Sequence, residues 1–394
     1  MKSFASLIAL VTLAVATPLA YNDGLSQIPF GADSATHAGF NLDLSARRLV
    51  QVEGQAPVWM TELEKIQAKA QGVHFFDITD TQDLESLAQF RSQAKVDFPQ
   101  PSAMERVKPI IATLSTEGPK ANLEKFTSFR TRYYRSDTGR QSQQWLKGKI
   151  SEITKEFASD SLQQIIEISE FEHSWGQNTV ITKIKGSSST ADDGVVIISA
   201  HQDSTNMWPF LPAPGADDDG SGSVTILEAY RALIASDFRP VRTVEFHWYS
   251  AEEGGLLGSQ AVATDYARRN VNVLAMSQFD MTAWVKRGTR EEAGIITDFV
   301  DEDLTKFNKE LVKTYLSIPY VETKCGYACS DHASWRKGGY PSVFTIESSF
   351  ENSNHNIHSS NDRINISDEF SFDHMLEFSK LAVAFAFELG SWSN

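Results

Sequence analysis

Short apolar runs that each break off at a histidine or a carboxylate constrain this chain more than any other feature. The run Val195-Val196-Ile197-Ile198 leads to His201. Residues 244–249 run into Glu252-Glu253, and residues 271–279 run into Asp280. Residues 342–346 form a further apolar run. Helices are expected between them: over 142–157, and over 221–236, where Val224, Leu227, Tyr230 and Ile234 recur on one side. Strands alternating with helices predict an α/β fold: a single domain with a central mixed, largely parallel β-sheet flanked by helices. In such a sheet, ligands collect where strands end and loops begin.

Upstream the pattern is weaker. Residues 59–71 and 83–94 read as helices and 74–78 as a short strand. Asp97-Phe98-Pro99-Gln100-Pro101 interrupts any helix and reads as a boundary. At the N-terminus, Lys2 precedes an apolar run over 7–15. Small residues follow, with Ala14-Val15-Ala16 and Pro18-Leu19-Ala20 as cleavage contexts. This reads as a secretory signal peptide over residues 1–20, because the run is too short to span a bilayer. The expectation is a secreted, extracellular protein.

The formal net charge of -15 argues against nucleic acid and anionic membranes as partners, since phosphate binding needs a clustered basic face. The two cysteines, Cys325 and Cys329, can close a very small loop in an oxidising compartment. The competing reading is a thiolate metal site, for which His332 is the only nearby additional ligand.

The polar residues at the strand ends suggest a metal site. His201 offers an imidazole nitrogen, and Asp203 two residues later can fix its tautomer. In Pro214-Gly215-Ala216-Asp217-Asp218-Asp219-Gly220-Ser221-Gly222, three adjacent carboxylates repel one another unless cations are present. A helix N-terminus accounts for one or two of those aspartates, not for three flanked by glycines. The adjacent Glu252 and Glu253 suggest divided labour, one binding metal and the other handling protons. Asp280 closes an apolar strand, and His358 lies in a polar loop. Two imidazoles and three carboxylates suit Zn²⁺ with room left for water. A shared carboxylate can bridge two ions about 3.5–4 Å apart.

Together the HxD, PGADDDGSG, SAEEGGLLGS, FDM and IHSSND segments resemble those of the M28 family of zinc peptidases, most of all the secreted fungal leucine aminopeptidases. The likeness runs from about residue 122 to 385. It implies His201, Asp218, Glu253, Asp280 and His358 as ligands of two Zn²⁺ ions bridged by Asp218. Glu253 and His358 would complete one site, and His201 and Asp280 the other. It also implies Glu252 as general base and acid, Asp203 in the catalytic machinery, a Cys325–Cys329 disulfide, and Tyr327 assisting the oxyanion. Met281, Ile346 and Phe350 would line a pocket for leucine-like side chains. The resemblance further implies a propeptide over 21–90, acting as inhibitor or folding aid, and a catalytic domain over 91–394.

The expected activity is that of an extracellular dizinc aminopeptidase, acting as a monomer on peptides or proteins with a free N-terminus. A metal-activated water would attack the first peptide bond, with Glu252 moving the proton. Three alternatives remain at this point: a dinuclear carboxypeptidase, a single-zinc glutaminyl cyclase-type acyltransferase, and a non-catalytic binding module. Ile296 reads as core as readily as pocket, and His247 as a packed residue. Asp331 and His332 are expected to fix the cysteine loop by hydrogen bonds. His355 and His374 have no supporting pattern. Asn365-Ile366-Ser367 is a glycosylation sequon.

Overall fold

Four parallel strands form the centre of the molecule: β6 (Val195–His201), β7 (Val244–Tyr249), β8 (Val273–Phe279) and β11 (Ser342–Ile346). This computed structural model describes residues 38–89, 98–190 and 194–392. The leader read over 1–20 lies outside them, as do residues 21–37 and the end of the 83–94 helix. The remaining strands of the large sheet are β4 (Ile166–Phe171), β5 (Thr179–Ile184), β9 (Ala293–Ile296) and β10 (Tyr320–Thr323). The sheet order is β10-β9-β11-β8-β6-β7-β5-β4, with antiparallel pairing at β4/β5, β5/β7 and β11/β9. The expected mixed, largely parallel sheet is therefore observed.

Helices cover both faces. On one face, Val196, Ile198, Phe246 and Trp248 pack against the helices Asp137–Phe157, Gly222–Ala235, Glu302–Tyr315 and Phe372–Gly390. On the other, Ile197, Tyr249 and Met276 meet Val262 and Tyr266 of the helix Leu257–Arg268, together with Trp335. The strands are buried on both faces, which is why they read as largely apolar runs. His247, set aside as a packed residue, is buried in β7 between Glu245 Oε2 at 2.9 Å and the Tyr249 hydroxyl at 3.0 Å.

Residues 47–77 build a second, small antiparallel sheet in the order β2-β1-β3, from β1 (Arg47–Gln51), β2 (Val58–Thr61) and β3 (Phe76–Asp77). Two expectations are corrected here. The start of the 59–71 helix is strand, because Trp59 and Met60 pair with β1. The helix then begins at Glu62, where Thr61 and Glu64 form a capping box. The 74–78 strand shortens to Phe76–Asp77. The segment is folded, yet its sequence pattern is weak for a physical reason. Its interior holds Arg48, Glu62, Lys65 and Asp77, each under a tenth exposed, so apolar periodicity has little to report. Arg48 Nε and Lys65 Nζ both reach Asp77 Oδ2, at 2.8 and 2.9 Å.

Candidate metal centre

Because β6, β7 and β8 run in parallel, their C-terminal ends deliver His201, the Glu252-Glu253 loop and Asp280 to one edge of the sheet. The loop before the helix Gly222–Ala235 adds Asp218, and the loop after β11 adds His358. Two groups of ligand atoms result, His201–Asp218–Asp280 and Asp218–Glu253–His358, each with its atoms within 4.8 Å of one another. Asp218 belongs to both. Its Oδ1 lies 3.1 Å from His201 Nε2, and its Oδ2 lies 3.0 Å from His358 Nε2. Asp280 Oδ1 stands 3.6 Å from His201 Nε2, and Glu253 Oε2 3.1 Å from His358 Nε2. Glu252 belongs to neither triad.

The donor set fits zinc. Among the described residues, His201 Nε2 and Glu253 Oε1 are buried without a hydrogen-bond partner, an arrangement that is costly unless something else takes the lone pair. Imidazole nitrogen and carboxylate oxygen are the ligands Zn²⁺ accepts. The electrostatics also favour added positive charge. Burial pulls His358 down, but the Glu253 charge and hydrogen bonds to Asp218 and Glu253 hold its imidazole at about 10. Burial, the Glu253 charge and Asp331 push Glu252 well above the usual carboxylate range, against the pull of His201 and Lys69.

Carboxylates outside the triads secure the loops. Asp203 receives the Glu252 and Glu253 amides at 3.1 and 3.2 Å. Its carboxylate stands 3.5 Å from His201 Nδ1, whose nearer contact is the Asp203 carbonyl at 3.1 Å. Asp203 thus ties the His201 loop to the glutamate loop as well as facing the imidazole Nδ1. Asp219 receives the amides of His201 and Met281 at 3.1 Å each, and that of Gly222 at 2.8 Å. Asp362 receives the amides of Asp217 and Asp218. Of the three consecutive aspartates, Asp218 therefore faces both imidazoles, while Asp217 and Asp219 hold the amides of Ala283 and His201. Ala251, Met281 and His358 all hold positive φ beside these residues. Each such residue costs on the order of 1–3 kcal/mol and persists only where its surroundings over-determine it.

Cys325 and Cys329 form a disulfide, which removes the thiolate metal site. Asp298 fixes this loop by accepting the amides of Cys325 and Gly326. The expected role of Asp331 and His332 is corrected. Among the described residues neither His332 nor Asp331 bonds directly to the 325–329 loop; His332 is buried against Phe344, and Asp331 receives a bond from Gln278. Ser330, next to the disulfide, donates to Asp280 Oδ2 at 2.5 Å.

A cavity of about 330 Å³ opens over the centre, lined among others by Met281, Ile346, Phe350 and Tyr327. Ile296 is fully buried and does not line it. Phe344 and Ile357 do, and sequence reading missed both. It also missed Lys69, Val73, His74 and Phe75, which enter the cavity from the N-terminal segment. Lys69 Nζ donates to the Glu253 carbonyl at 2.8 Å, and the His74 ring stacks on Tyr327 at 3.4 Å. No local signal marks either residue. His374 is buried between Glu291 and the Glu347 carbonyl, away from the triads. Asn365 is exposed.

A family model described as peptidase family M28 matches residues 179–383. The chain is 50% identical to leucine aminopeptidase 1 of Colletotrichum graminicola over 343 residues, which is 84% of this chain and 83% of that protein. It is 46% identical to leucine aminopeptidase 1 of Trichoderma harzianum, covering 96% of this chain and 94% of that one. Among solved structures, the LapA aminopeptidase of Legionella pneumophila matches with a TM-score of 0.77 at 28% identity. That match covers 89% of this chain and all of the other.

Proposed function

Since the chain belongs to peptidase family M28, whose members it matches over most of its length, we propose that this metallo-aminopeptidase removes leucine and other large apolar residues from free N-termini. The observation that carries this reading is Asp218, which offers one oxygen to each of two imidazole-containing triads. Asp218 would bridge two zinc ions, with His201 and Asp280 completing one site and Glu253 and His358 the other. When bound, such ions supply Lewis acidity toward the scissile carbonyl and the attacking water.

The chain's own residues supply the rest. Glu252 is the general base and acid: left out of both triads, it takes the proton of the attacking water and returns it to the departing amine. Its carboxylate lines the cavity beside Glu253 without belonging to either triad, which leaves it free to move that proton. Tyr327 stays protonated, since burial and the charges of Glu252 and Asp218 raise its phenol, so it serves as a donor to the developing oxyanion. Met281, Ile346 and Phe350 exclude water and receive the apolar side chain.

The same reading takes residues 38–89 as the folded part of a propeptide that holds the site closed. Lys69 carries an ammonium to Glu253, where a substrate's amino group would stand, and His74 covers Tyr327. Secretion is supported by the leader pattern over 1–20 and the Cys325–Cys329 disulfide, and glycosylation by the exposed Asn365.

The test is an assay of the processed protein on leucine amide with its amino group free or acylated. Hydrolysis of the free form alone supports the proposal, and equal hydrolysis of both forms contradicts it.

A further inference from the structure

Arg132 is fully buried, and among the described residues its guanidinium has no ion-pair partner. All of its hydrogen bonds go to main-chain carbonyls. Nε donates to Gln202 at 2.8 Å, Nη2 to Gly215 at 2.8 Å, and Nη1 to Pro214. Gln202 stands between His201 and Asp203, while Pro214 and Gly215 begin the loop that delivers Asp218. One rigid fork thus spans the two loops whose ligands meet at His201 Nε2 and Asp218 Oδ1. The Arg132 amide adds a bond to Ser204 Oγ at 3.0 Å, and that hydroxyl donates to the Ala213 carbonyl at 2.8 Å. Phe126 supports the guanidinium from below, 4.2 Å from its ring centroid.

The cradle is shaped for this group. A Cβ at Gly215 would stand 2.9 Å from Arg132 Nη2 and 2.4 Å from the Ser204 Cβ, so the loop closes on the guanidinium only with glycine there. Burial lowers the guanidinium to about 10, while the charges of Asp362, Asp219, Asp203 and Asp218 act to raise it. It therefore stays cationic at neutral pH, as a fixed positive charge beneath a cluster of carboxylates. An arginine buried this way is costly to desolvate, and main-chain hydrogen bonds alone offset only part of that cost.

We infer that Arg132 is a positioning residue for the metal centre. It sets the separation of the His201 and Asp218 loops and screens the repulsion among their carboxylates before a cation arrives. This rests on the two-zinc reading above. Arg132 touches neither ligand atom nor substrate, so its effect passes through main-chain carbonyls. Its loss should therefore appear in cation affinity, at the His201–Asp218–Asp280 triad above all, because the fork joins the loops of His201 and Asp218 and bonds to neither the Glu253 loop nor the His358 loop.

The test compares the full-length chain with its Arg132→Lys and Arg132→Met variants. Each is stripped of metal and titrated calorimetrically with Zn²⁺, and with Co²⁺ while its visible absorption is recorded. Circular dichroism and thermal unfolding of the metal-free proteins report the fold. Supporting residues of this kind are worth about 10–100-fold in metal affinity. Arg132→Met, folded, is expected to lose roughly that much at one of two sites and to change the Co²⁺ spectrum. Arg132→Lys, which keeps the charge but cannot span three carbonyls, should recover part of the loss. Either variant folding and binding both cations as the unmodified chain does would overturn the inference. If Arg132→Met fails to fold, Arg132→Lys alone decides by the same criterion. An unmodified chain that binds fewer than two cations would refute the two-zinc reading itself, and with it this inference.

Discussion

Lys69 Nζ lies 2.5 Å from Glu253 Oε2, so a cation from the N-terminal segment occupies a carboxylate of the second triad. The contact is held at a distance from the site. Asp77 donates its amide to the Gly255 carbonyl at 3.0 Å, Lys65 Nζ donates to Gly254 at 3.3 Å, and Gln260 Nε2 donates to the Asp77 carbonyl at 3.1 Å. The segment thus grips the glycines that directly follow Glu252 and Glu253.

Release of that grip should raise activity. Cleavage near residue 90 is expected to increase kcat/KM on leucine amide at least about tenfold, and Lys69→Met in the uncleaved chain should recover part of the increase. Tenfold corresponds to about 1.4 kcal/mol, a modest value suited to a partly buried lysine. Unchanged kinetics after cleavage would show that the segment does not obstruct the site.

The anchoring of the segment should be acid-sensitive. Burial would raise Asp77, but Lys65 and Arg48 outweigh it and hold its carboxyl below the ordinary 3.8. A depressed carboxylate contributes stability that is complete above its unfolded pKa and is lost as pH falls through the folded value. Limited proteolysis of the segment should therefore be flat from neutral pH to about 5 and accelerate below 3.8. Asp77→Asn leaves two buried cations underpaired and should destabilise the segment at neutral pH by roughly 3–5 kcal/mol. Wild-type resistance in that variant would refute the assignment.

Ser330 orients Asp280 through the hydrogen bond at 2.5 Å. Ser330→Ala is expected to weaken zinc binding about 10–100-fold while leaving the disulfide and the fold intact. Equal zinc affinity in a competition titration would remove Ser330 from the centre.

Glu252→Gln preserves shape and removes the base. Metal content should be unchanged and kcat should fall about 10²–10⁴-fold. Near-normal turnover would exclude the assigned role.

The central architecture was legible because strands buried on both faces announce themselves as apolar runs, and because each run ends at a chemically distinctive residue such as His201 or Asp280. Those signals are local. What was not legible depends on contacts between distant parts of the chain. Arg132 precedes the loops it joins by about 70 and 82–83 positions, and nothing around it marks it as buried. Asp219 reads as a third equivalent carboxylate until its oxygens are seen to hold the His201 and Met281 amides. The N-terminal segment stayed hidden because its core is ionic: Lys65 and Asp77 satisfy each other inside it, and no apolar period reveals that. His332 misled for the opposite reason. Its neighbours in sequence suggested a polar role, and packing against Phe344 buries it.

Anomalous diffraction from crystals of the processed protein, collected on either side of the zinc absorption edge, tests the central claim most directly. The account predicts two zinc peaks per chain, one on each side of the Asp218 carboxylate. A single peak, or two peaks with no carboxylate shared between them, would contradict it.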